Sequence, residues 1–534
     1  MNSTKLNHFH HASGASTIAF PVHPVKPMAT RNAVALVAIC LAALMFGLEI
    51  SSVPVILPHV ENVLHTDFSS AQWIMNAYTI ACTTVLMAAG TLADRYGRKR
   101  LLLISVLLFG VTSWICGLAP NASVLIVSRF LQGMSGGAMV ICQIAALSHQ
   151  FQEGPSRSKA FGAWGIIFGV GLGFGPIIGG AIVALSNWTW VFLIQVPLAT
   201  ITSLLIVGSV DESSDPQAKA LDVPGIVTLS LAVFGLTFFI TQGPGLGFAS
   251  SIAIASVVVA VLSFLAFLYA EKSNAHPMFD FSVFRIRAFS GALYGSMGMN
   301  FSFWPFMIYL PIYFQSALGY GAIAAGTSLL AYTLPTLVIP PLAERLAVRY
   351  QPRIVIPAGL FTIGLGFMLM KLGSGVDHAS WLSMLPGCVL AGAGLGLTNT
   401  PVTNTTTAAV PTARAGMASG IDMSARLITL AINIALMGFL LLEGILFYLR
   451  NVVDTSADTS QWHAVAAKIA AGNLLPGADD ISSEIAHAAL VHGFGWVMLY
   501  GGWGAWLLAA ASFITFGPAK EPTQVSIACT SEPG

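Results

Sequence analysis

The chain has 534 residues, of which 55% are hydrophobic and only 8% are charged, and its formal net charge is +1. Soluble globular proteins carry about 25% charged residues, so this chain has too few charges to cover a surface in water. The composition suits a lipid bilayer and excludes the basic surface of a nucleic-acid-binding protein. Because isolated helices satisfy their own backbone in lipid, we predict an all-α polytopic membrane protein.

Fourteen stretches are long and apolar enough to cross a bilayer, a crossing that takes about 20 residues in a helix. Because the number is even, both termini are expected on the same side of the membrane. Lysine and arginine concentrate in the connections on that side, and such residues favour the cytoplasm. The predicted spans are 33–57, 71–93, 101–119, 123–148, 160–185, 189–209, 223–242, 251–270, 289–316, 322–342, 353–372, 381–409, 417–448 and 490–516.

Similar residues follow the second and the tenth predicted spans and indicate an internal repeat. The stretch 92–99 reads LADRYGRK, and the stretch 346–353 reads LAVRYQPR. Transporters often consist of duplicated halves, and the offset of eight spans predicts two six-helix halves with two extra central helices between them. The predicted units are a cytoplasmic arm 1–32, an N-terminal half 33–210, two additional helices in 211–272, a cytoplasmic linker 273–288, a C-terminal half 289–516 with a long outer loop 449–489, and a cytoplasmic tail 517–534.

Two charged residues, Glu49 and Arg129, lie deep inside predicted spans, where a charge costs about 2.5–3.5 kcal/mol. At about 1.5 Å per residue, the positions of both residues along spans 1 and 4 place them in the outer half of the membrane. We interpret Glu49 as a proton carrier and substrate contact whose protonation Arg129 influences. The alternative is an ion pair that only fixes helix packing.

Asp422 and Arg426 are four residues apart near the cytoplasmic start of span 13, a spacing that lets them pair on one helix face. Both a local ion pair and a gating pair that acts in substrate release stay open. Polar and aromatic residues inside other spans are candidates for the wall of a central cavity. They are Gln72, Trp73, Asn76, Tyr78, Gln132, Gln143, Asn300, Trp304, Tyr309, Gln315, Asn399, Thr403 and Asn404.

Five stretches resemble motifs of the major facilitator superfamily, and more closely of its fourteen-span drug:proton antiporter subfamily. Residues 90–99 match the superfamily's signature loop, residues 129–133 match the span 4 motif tied to proton coupling, and residues 171–180 match the span 5 motif of exporters. Residues 48–58 resemble the subfamily's span 1 motif, and residues 276–285 resemble its loop before span 9. The resemblance extends over nearly the whole chain.

The chain departs from the family pattern at a few positions. Glu49 stands where Asp is usual, Pro54 and Gln195 stand where Asn is usual, and the span 13 pattern is loose around 427–433. The carboxyl of Glu49 is still titratable, so the first departure leaves proton coupling intact. The drift in span 13 leaves the substrate open.

The resemblance implies a major-facilitator fold and proton antiport that exports small amphiphilic or cationic organic compounds by alternating access. It also implies that one cytoplasmic loop latches the two halves together, through Asp94, Arg95, Gly97 and Arg98. The glycines of span 5 recur every four residues and make a smooth helix face, which in exporters seals the route between the halves. This face consists of Gly171, Gly175 and Gly179, and Pro176 within the same motif removes a hydrogen bond of the helix and favours a kink.

Two other functions are compatible with the sequence. One is a dedicated exporter of a single metabolite or self-made toxin, and the other is a transporter-like receptor that binds ligand without cycling. The sequence has no GxxxxGK[ST] loop, metal cluster or catalytic spacing, so we expect neither ATP hydrolysis nor another enzyme activity. We expect no cofactor and no nucleic acid partner, with the proton gradient as the energy source. We also expect a monomer in the cell (inner) membrane, joined by a periplasmic adaptor only in a Gram-negative source.

Overall fold

The computed structural model describes residues 30–151, 154–214, 222–274, 281–376, 379–410, 415–452, 459–471 and 482–518. These residues are almost entirely helical, and no β-strand occurs among them. The helices are α1 (Thr30–Leu64), α2 (Phe68–Tyr96), α3 (Arg98–Gly117), α4 (Ala122–Gln150), α5 (Gly154–Leu185), α6 (Thr189–Leu193), α7 (Gln195–Ser209), α8 (Val223–Leu246), α9 (Ser251–Ser273), α10 (Arg287–Phe301), α11 (Phe303–Ile312), α12 (Ala322–Ser328), α13 (Leu330–Thr333), α14 (Pro335–Val338), α15 (Pro340–Tyr350), α16 (Pro352–Ser374), α17 (Trp381–Ala408), α18 (Ala415–Val452), α19 (Thr459–Ala470) and α20 (Ser483–Phe516).

Short polar side chains start several of these helices. Each accepts a hydrogen bond from a backbone N–H of the first turn, which would otherwise lack a partner inside the helix. The capping residues are Asp67 before α2, Asn121 before α4, Asp222 before α8, Ser250 before α9 and Ser482 before α20.

The predicted number of fourteen spans is not confirmed. Eleven described helices are long and apolar enough to cross a membrane, and Ala322–Val338 with Pro340–Tyr350, which meet at a 45° bend, make a twelfth if they form one span. The predicted span 71–93 lies within α2, a helix of 29 residues that is not among these eleven.

The predicted span 289–316 is interrupted between α10 and α11, at Ser302. Pro305 has no backbone N–H to donate to the carbonyl of Phe301, and a proline ring also clashes with the carbonyl four residues before it. The hydroxyl of Ser302 donates to the carbonyl of Gly298 at 2.9 Å, so part of the local backbone is bonded by a side chain. Pro305 therefore accounts for the break, which the apolar character of the run alone does not predict.

The helices pack as two groups with α8 at the boundary between them. In the first group α1 packs on α5 and α2 on α4, and in the second α16 packs on both α17 and α20. Helix α8 packs on α9 and also contacts α2 of the first group and α18 of the second. Much of α9 is exposed and apolar, including Ile254, Val258 and Leu262. Such a face suits lipid, and the chain is a multi-pass membrane protein. The division into two six-helix halves with two extra helices stays a prediction.

Candidate transport site

Glu49 of α1 and Arg129 of α4 form an ion pair, and neither side chain is exposed to any measurable extent (0% each). Arg129 donates through Nη1 to Glu49 Oε1 and also to Gln132 Oε1 at 2.6 Å, and through Nε to the carbonyl of Ile74 at 3.1 Å. The second carboxylate oxygen of Glu49, Oε2, accepts from Gln195 Nε2 at 3.3 Å. A buried ion pair is tolerated when hydrogen bonds satisfy its remaining polar atoms, and this arrangement supplies several of them.

The pair lies where several helices of the first group meet. The guanidinium carbon of Arg129 lies 4.2 Å from the ring centroid of Tyr78 in α2 and 5.8 Å from that of Phe192 in α6. Gln132 connects the ion pair to α3, because its Nε2 donates to Ser113 Oγ at 2.8 Å. The structure thus brings together the two charges that the sequence placed at similar depth, while their role in proton coupling stays a prediction.

The sequence analysis noted Gln195 only as a departure from a family pattern. The structure places its amide against the Glu49 carboxylate and also within 3.3 Å of the Met45 carbonyl. An amide inside an otherwise apolar run could have identified Gln195 as a site residue, since a buried amide needs hydrogen-bond partners.

A narrow cavity lies between α1, α2, α11 and α18, where the two groups of helices meet. None of the described residues that line it carries a formal charge. Two cavity candidates from the sequence, Tyr78 and Trp304, are part of its wall. The complete lining is Phe46, Ile50, Pro54, Met75, Tyr78, Thr79, Cys82, Trp304, Met307, Ile308, Leu427, Leu430 and Ile434.

Several other candidates are buried or partly buried between helices and do not line this cavity. Trp73 packs on Phe234 and Phe238 of α8, with ring centroids 5.7 and 6.2 Å away. Asn300 donates to the carbonyl of Ser296 at 2.9 Å. Gln72, Asn76 and Gln143 are also buried and absent from the lining. An apolar run gives the depth of a polar residue but not the direction in which its side chain points, so these contacts could not be read from the sequence.

The remaining candidates bond to backbone or to other side chains. Tyr309 donates to the carbonyl of Ile434, and Gln315 donates to the carbonyl of Val55 at 2.9 Å. Asn404 donates to Glu344 at 2.5 Å. Gln132, Asn399 and Thr403 contact the two buried arginines. A part in substrate binding stays a prediction for all of them.

Asp422 and Arg426 form an ion pair within α18, at a distance of 3.0 Å between Nη2 and Oδ2. Arg426 also donates to Asn399 Oδ1 at 2.6 Å and to Thr403 Oγ1 at 3.0 Å, both in α17. The hydroxyl of Ser296 in α10 donates to Asp422. The local pair that the spacing predicted therefore holds three helices of the second group together, and its role in gating stays a prediction.

The loop between α2 and α3 turns at Gly97, whose φ of +114° lies in a region that favours glycine. A Cβ atom at this position would lie 2.6 Å from Oε1 of Glu212. The Glu212 carboxylate accepts from the backbone N–H groups of Lys99 at 3.1 Å and Arg100 at 3.2 Å, at the N-terminus of α3. A negative charge is favourable there because the first N–H groups of a helix point toward it.

These hydrogen bonds hold the loop to the end of the first half. The backbone N–H of Arg98 also donates to the carbonyl of Ser213 at 2.9 Å. Arg95 is exposed, with its guanidinium carbon 5.5 Å from the ring centroid of Tyr96. The side chain of Asp94 lies outside the described residues. A latch between the two halves stays a prediction, and the acid at the start of α3 is Glu212, which the sequence analysis did not identify.

The four-residue glycine repeat of α5 faces α1. A Cβ atom on Gly171 would lie 2.9 Å from the carbonyl oxygen of Leu44, and one on Gly179 would lie 2.8 Å from that of Ser52. Gly175 meets the hydroxyl of Ser51 in the same way. The repeat therefore lets α1 and α5 approach closely within the first group of helices, and its part in closing the route between the halves stays a prediction.

The neighbouring face of α5 contacts the second group of helices. Gly180 faces the carbonyl of Ala322 in α12, and the carbonyl of Pro176 faces Gly326. The carbonyl of Gly173 accepts a hydrogen bond from Thr333 Oγ1 at 3.1 Å. A period of four predicts a smooth helix face but not the helix that covers it, so the contact of the repeat with α1 could not be read from the sequence.

Comparison with known proteins identifies the family of the chain. Residues 39–434 match the family model described as Major Facilitator Superfamily. The chain belongs to the Major Facilitator Superfamily. The matched region includes both buried ion pairs and both faces of α5, so the family assignment covers the site as well as the fold.

Two curated members of the superfamily are similar over most of the chain. One is the "Multidrug resistance protein Stp" of Mycobacterium tuberculosis, 31% identical over 406 residues that cover 76% of this chain and 75% of the relative. The other is the "Tetracenomycin C resistance and export protein" of Streptomyces glaucescens, 28% identical over 504 residues that cover 92% of each.

A solved structure supports the fold alone. It is a POT family transporter in complex with 5-aminolevulinic acid, with a TM-score of 0.55 and 14% sequence identity. The alignment covers 82% of this chain and 93% of that transporter.

Proposed function

We propose that this superfamily member exports small organic compounds, of the class that includes drugs and toxic metabolites, in exchange for protons. The observation that carries the proposal is the buried Glu49–Arg129 pair next to the cavity between the two groups of helices. Tyr78 lines the cavity and also contacts the Arg129 guanidinium, and Ile50, the neighbour of Glu49, lines the cavity too. The similarity to a multidrug resistance protein and to a resistance and export protein supports the proposal.

The geometry suggests how a proton would act. When Glu49 binds a proton, its attraction to Arg129 is lost, and the hydrogen bonds between α1, α4 and α7 rearrange. Because the pair joins separate helices, this change alters the relative stability of their arrangements and hence of the inward-open and outward-open states. A proton gradient then supplies the energy, with no nucleotide, cofactor or catalytic step.

The test uses purified protein in liposomes without nucleotide, with an imposed pH gradient and a fluorescent dye as substrate. Wild type should transport the dye against its gradient, whereas Glu49→Gln should insert normally and lose pH-driven transport. Glu484→Gln makes the same chemical change at an exposed acid and serves as the matched control. Gradient-driven transport by Glu49→Gln at the wild-type rate would remove this residue from the coupling step.

A second candidate function is the dedicated export of one compound. The observation in its favour is the relative named for tetracenomycin C, which matches 92% of this chain. A panel of unrelated toxic compounds, tested for resistance in a host that lacks its own pumps, separates the two. A broad exporter protects against several compounds, and a dedicated one protects against a single chemical class.

We also propose that both termini lie in the cytoplasm and that the chain acts as a monomer in the cell membrane. The loop after α2 supports this orientation, because Arg95, Arg98, Lys99 and Arg100 follow one another closely and positive residues favour the cytoplasmic side. Reporter fusions at each terminus test it, and activity of either reporter outside the cell contradicts it.

A further inference from the structure

The wall of the cavity has a composition that indicates its ligand. Among the described residues it contains three aromatic rings and two methionines, from Phe46, Tyr78, Trp304, Met75 and Met307. Aromatic rings contact other rings favourably, and methionine side chains adapt to varied shapes. The described wall offers no carboxylate that would attract a cation.

The ion pairs next to the cavity are already compensated. Both carboxylate oxygens of Glu49 have hydrogen-bond donors, and its side chain is fully buried. Leu427 of the wall follows Arg426, whose guanidinium is bonded to Asp422 and to two side chains of α17. In this conformation neither acid is available to a positively charged ligand.

Proton binding makes the cavity still less suitable for a cation. Once Glu49 is neutral, Arg129 keeps its positive charge, and Tyr78, whose ring centroid lies 4.2 Å from the guanidinium carbon, is part of the cavity wall. Like charges repel more strongly in a region of low dielectric constant than in water. A cation in the apolar wall would therefore meet desolvation and repulsion together.

We propose that this cavity binds an uncharged aromatic compound in preference to an organic cation. The proposal rests on the proposed export function and narrows its substrate class. The cavity is narrow in this conformation, so a ring would enter only with movement of flexible wall residues such as Met75 and Met307. The recognition is then hydrophobic contact and ring stacking, without ion pairing.

Equilibrium binding to the purified full chain in detergent tests the charge preference, using acridine and N-methylacridinium. The two probes have the same rings, and at a pH where acridine is uncharged they differ by one positive charge and one methyl group. Wild type should bind acridine more tightly, on the order of tenfold. Equal or tighter binding of N-methylacridinium would overturn the proposal.

A carboxylate introduced into the wall tests the location. Leu430→Glu should weaken acridine binding and strengthen N-methylacridinium binding, because the new charge lies inside the cavity. Leu185→Glu, at a leucine that is 85% exposed at the end of α5, is the matched control and should leave both affinities near wild type. Identical affinities in the two variants would place the probe elsewhere and overturn the proposal.

A second readout covers the case in which Leu430→Glu does not fold. Tryptophan fluorescence transfers energy to bound acridine over short distances, and Trp304 lines the cavity. Trp304→Phe should reduce this transfer more than Trp503→Phe, which removes an indole that is 63% exposed on α20. Equal reductions would contradict the proposed site.

The binding measurements use no pH gradient, so they test the ligand class independently of proton-coupled export. Dye transport driven by pH together with a preference for N-methylacridinium would refute the uncharged ligand and leave proton-coupled export standing. Selective acridine binding in the cavity without any pH-driven flux would support the ligand class and refute the antiport.

Discussion

The two buried ion pairs differ in what holds their partners together. Glu49 and Arg129 are 80 residues apart and belong to α1 and α4, whereas Asp422 and Arg426 are four residues apart in α18. The first pair exists only in certain arrangements of two helices, and the second persists however α18 moves as a rigid body. A pair that depends on helix positions can respond to a proton by moving helices, while a local pair mainly stabilises its own half.

The largest effect is expected when Arg129 is removed. Arg129→Gln leaves the Glu49 carboxylate buried between helices without its charged partner, which should lower the free energy of unfolding by about 3–5 kcal/mol. Reversible unfolding in mixed micelles measures the loss. Arg345→Gln, at an exposed arginine in α15, is the matched control. A loss no larger than that of the control would break the comparison.

Asp422→Asn should cost less, about 1–3 kcal/mol of unfolding free energy. The amide still accepts hydrogen bonds, and Arg426 keeps Asn399 and Thr403 as partners, with 10% of its side chain exposed. The same unfolding assay gives the value. If this variant is destabilised as much as Arg129→Gln, the local pair is not the weaker of the two.

Gln195→Leu sharpens the comparison by removing one donor to the first pair. The loss of the hydrogen bond to Glu49 Oε2, which is 3.3 Å long, should lower the unfolding free energy by about 1 kcal/mol. Gln242→Leu removes a hydrogen bond of 3.2 Å to the neutral hydroxyl of Ser69 and should cost less. Equal losses would mean that the charge on Glu49 adds nothing to its hydrogen bond with Gln195.

The smallest effect is expected at an exposed carboxylate. The Glu212 side chain is 37% exposed, and Glu212→Gln keeps an acceptor oxygen at the start of α3. Loss of its charge should lower the unfolding free energy by about 0.3–1 kcal/mol at low ionic strength, and salt should reduce the difference. A loss that is unchanged in high salt would show that the charge is not the cause.

The sequence predicted two kinds of contact: contacts between residues that are close in the chain, and contacts of buried charges, which are costly without a partner. A charge in an apolar run must find a partner, which pointed to Glu49 and Arg129, and a spacing of four residues pointed to Asp422 and Arg426. Most helices and their approximate ends followed from the lengths of the apolar runs. The family followed from motifs and is confirmed by the match over residues 39–434.

Contacts between distant residues were beyond the sequence. The carboxylate of Glu212 is more than 100 residues from the N–H groups of Lys99 and Arg100, and the hydroxyl of Ser296 is 126 residues from Asp422. No local pattern marks either partner. The break at Ser302 was missed for a different reason, because hydrophobicity alone does not register a proline's missing hydrogen bond.

Helix α5 has glycines on two of its faces, and the two faces have different neighbours. One face is fitted closely to α1, so α5 travels with the first half. The other contacts the second group of helices through glycine backbone, through the hydroxyl of Thr333, which donates to the carbonyl of Gly173, and through the side chain of Leu337, which would lie 2.6 Å from a Cβ atom on Gly169. Leu337 fills the space that the missing side chains of Gly169 and Gly173 leave, so any larger residue at either glycine would force the second group of helices away from α5.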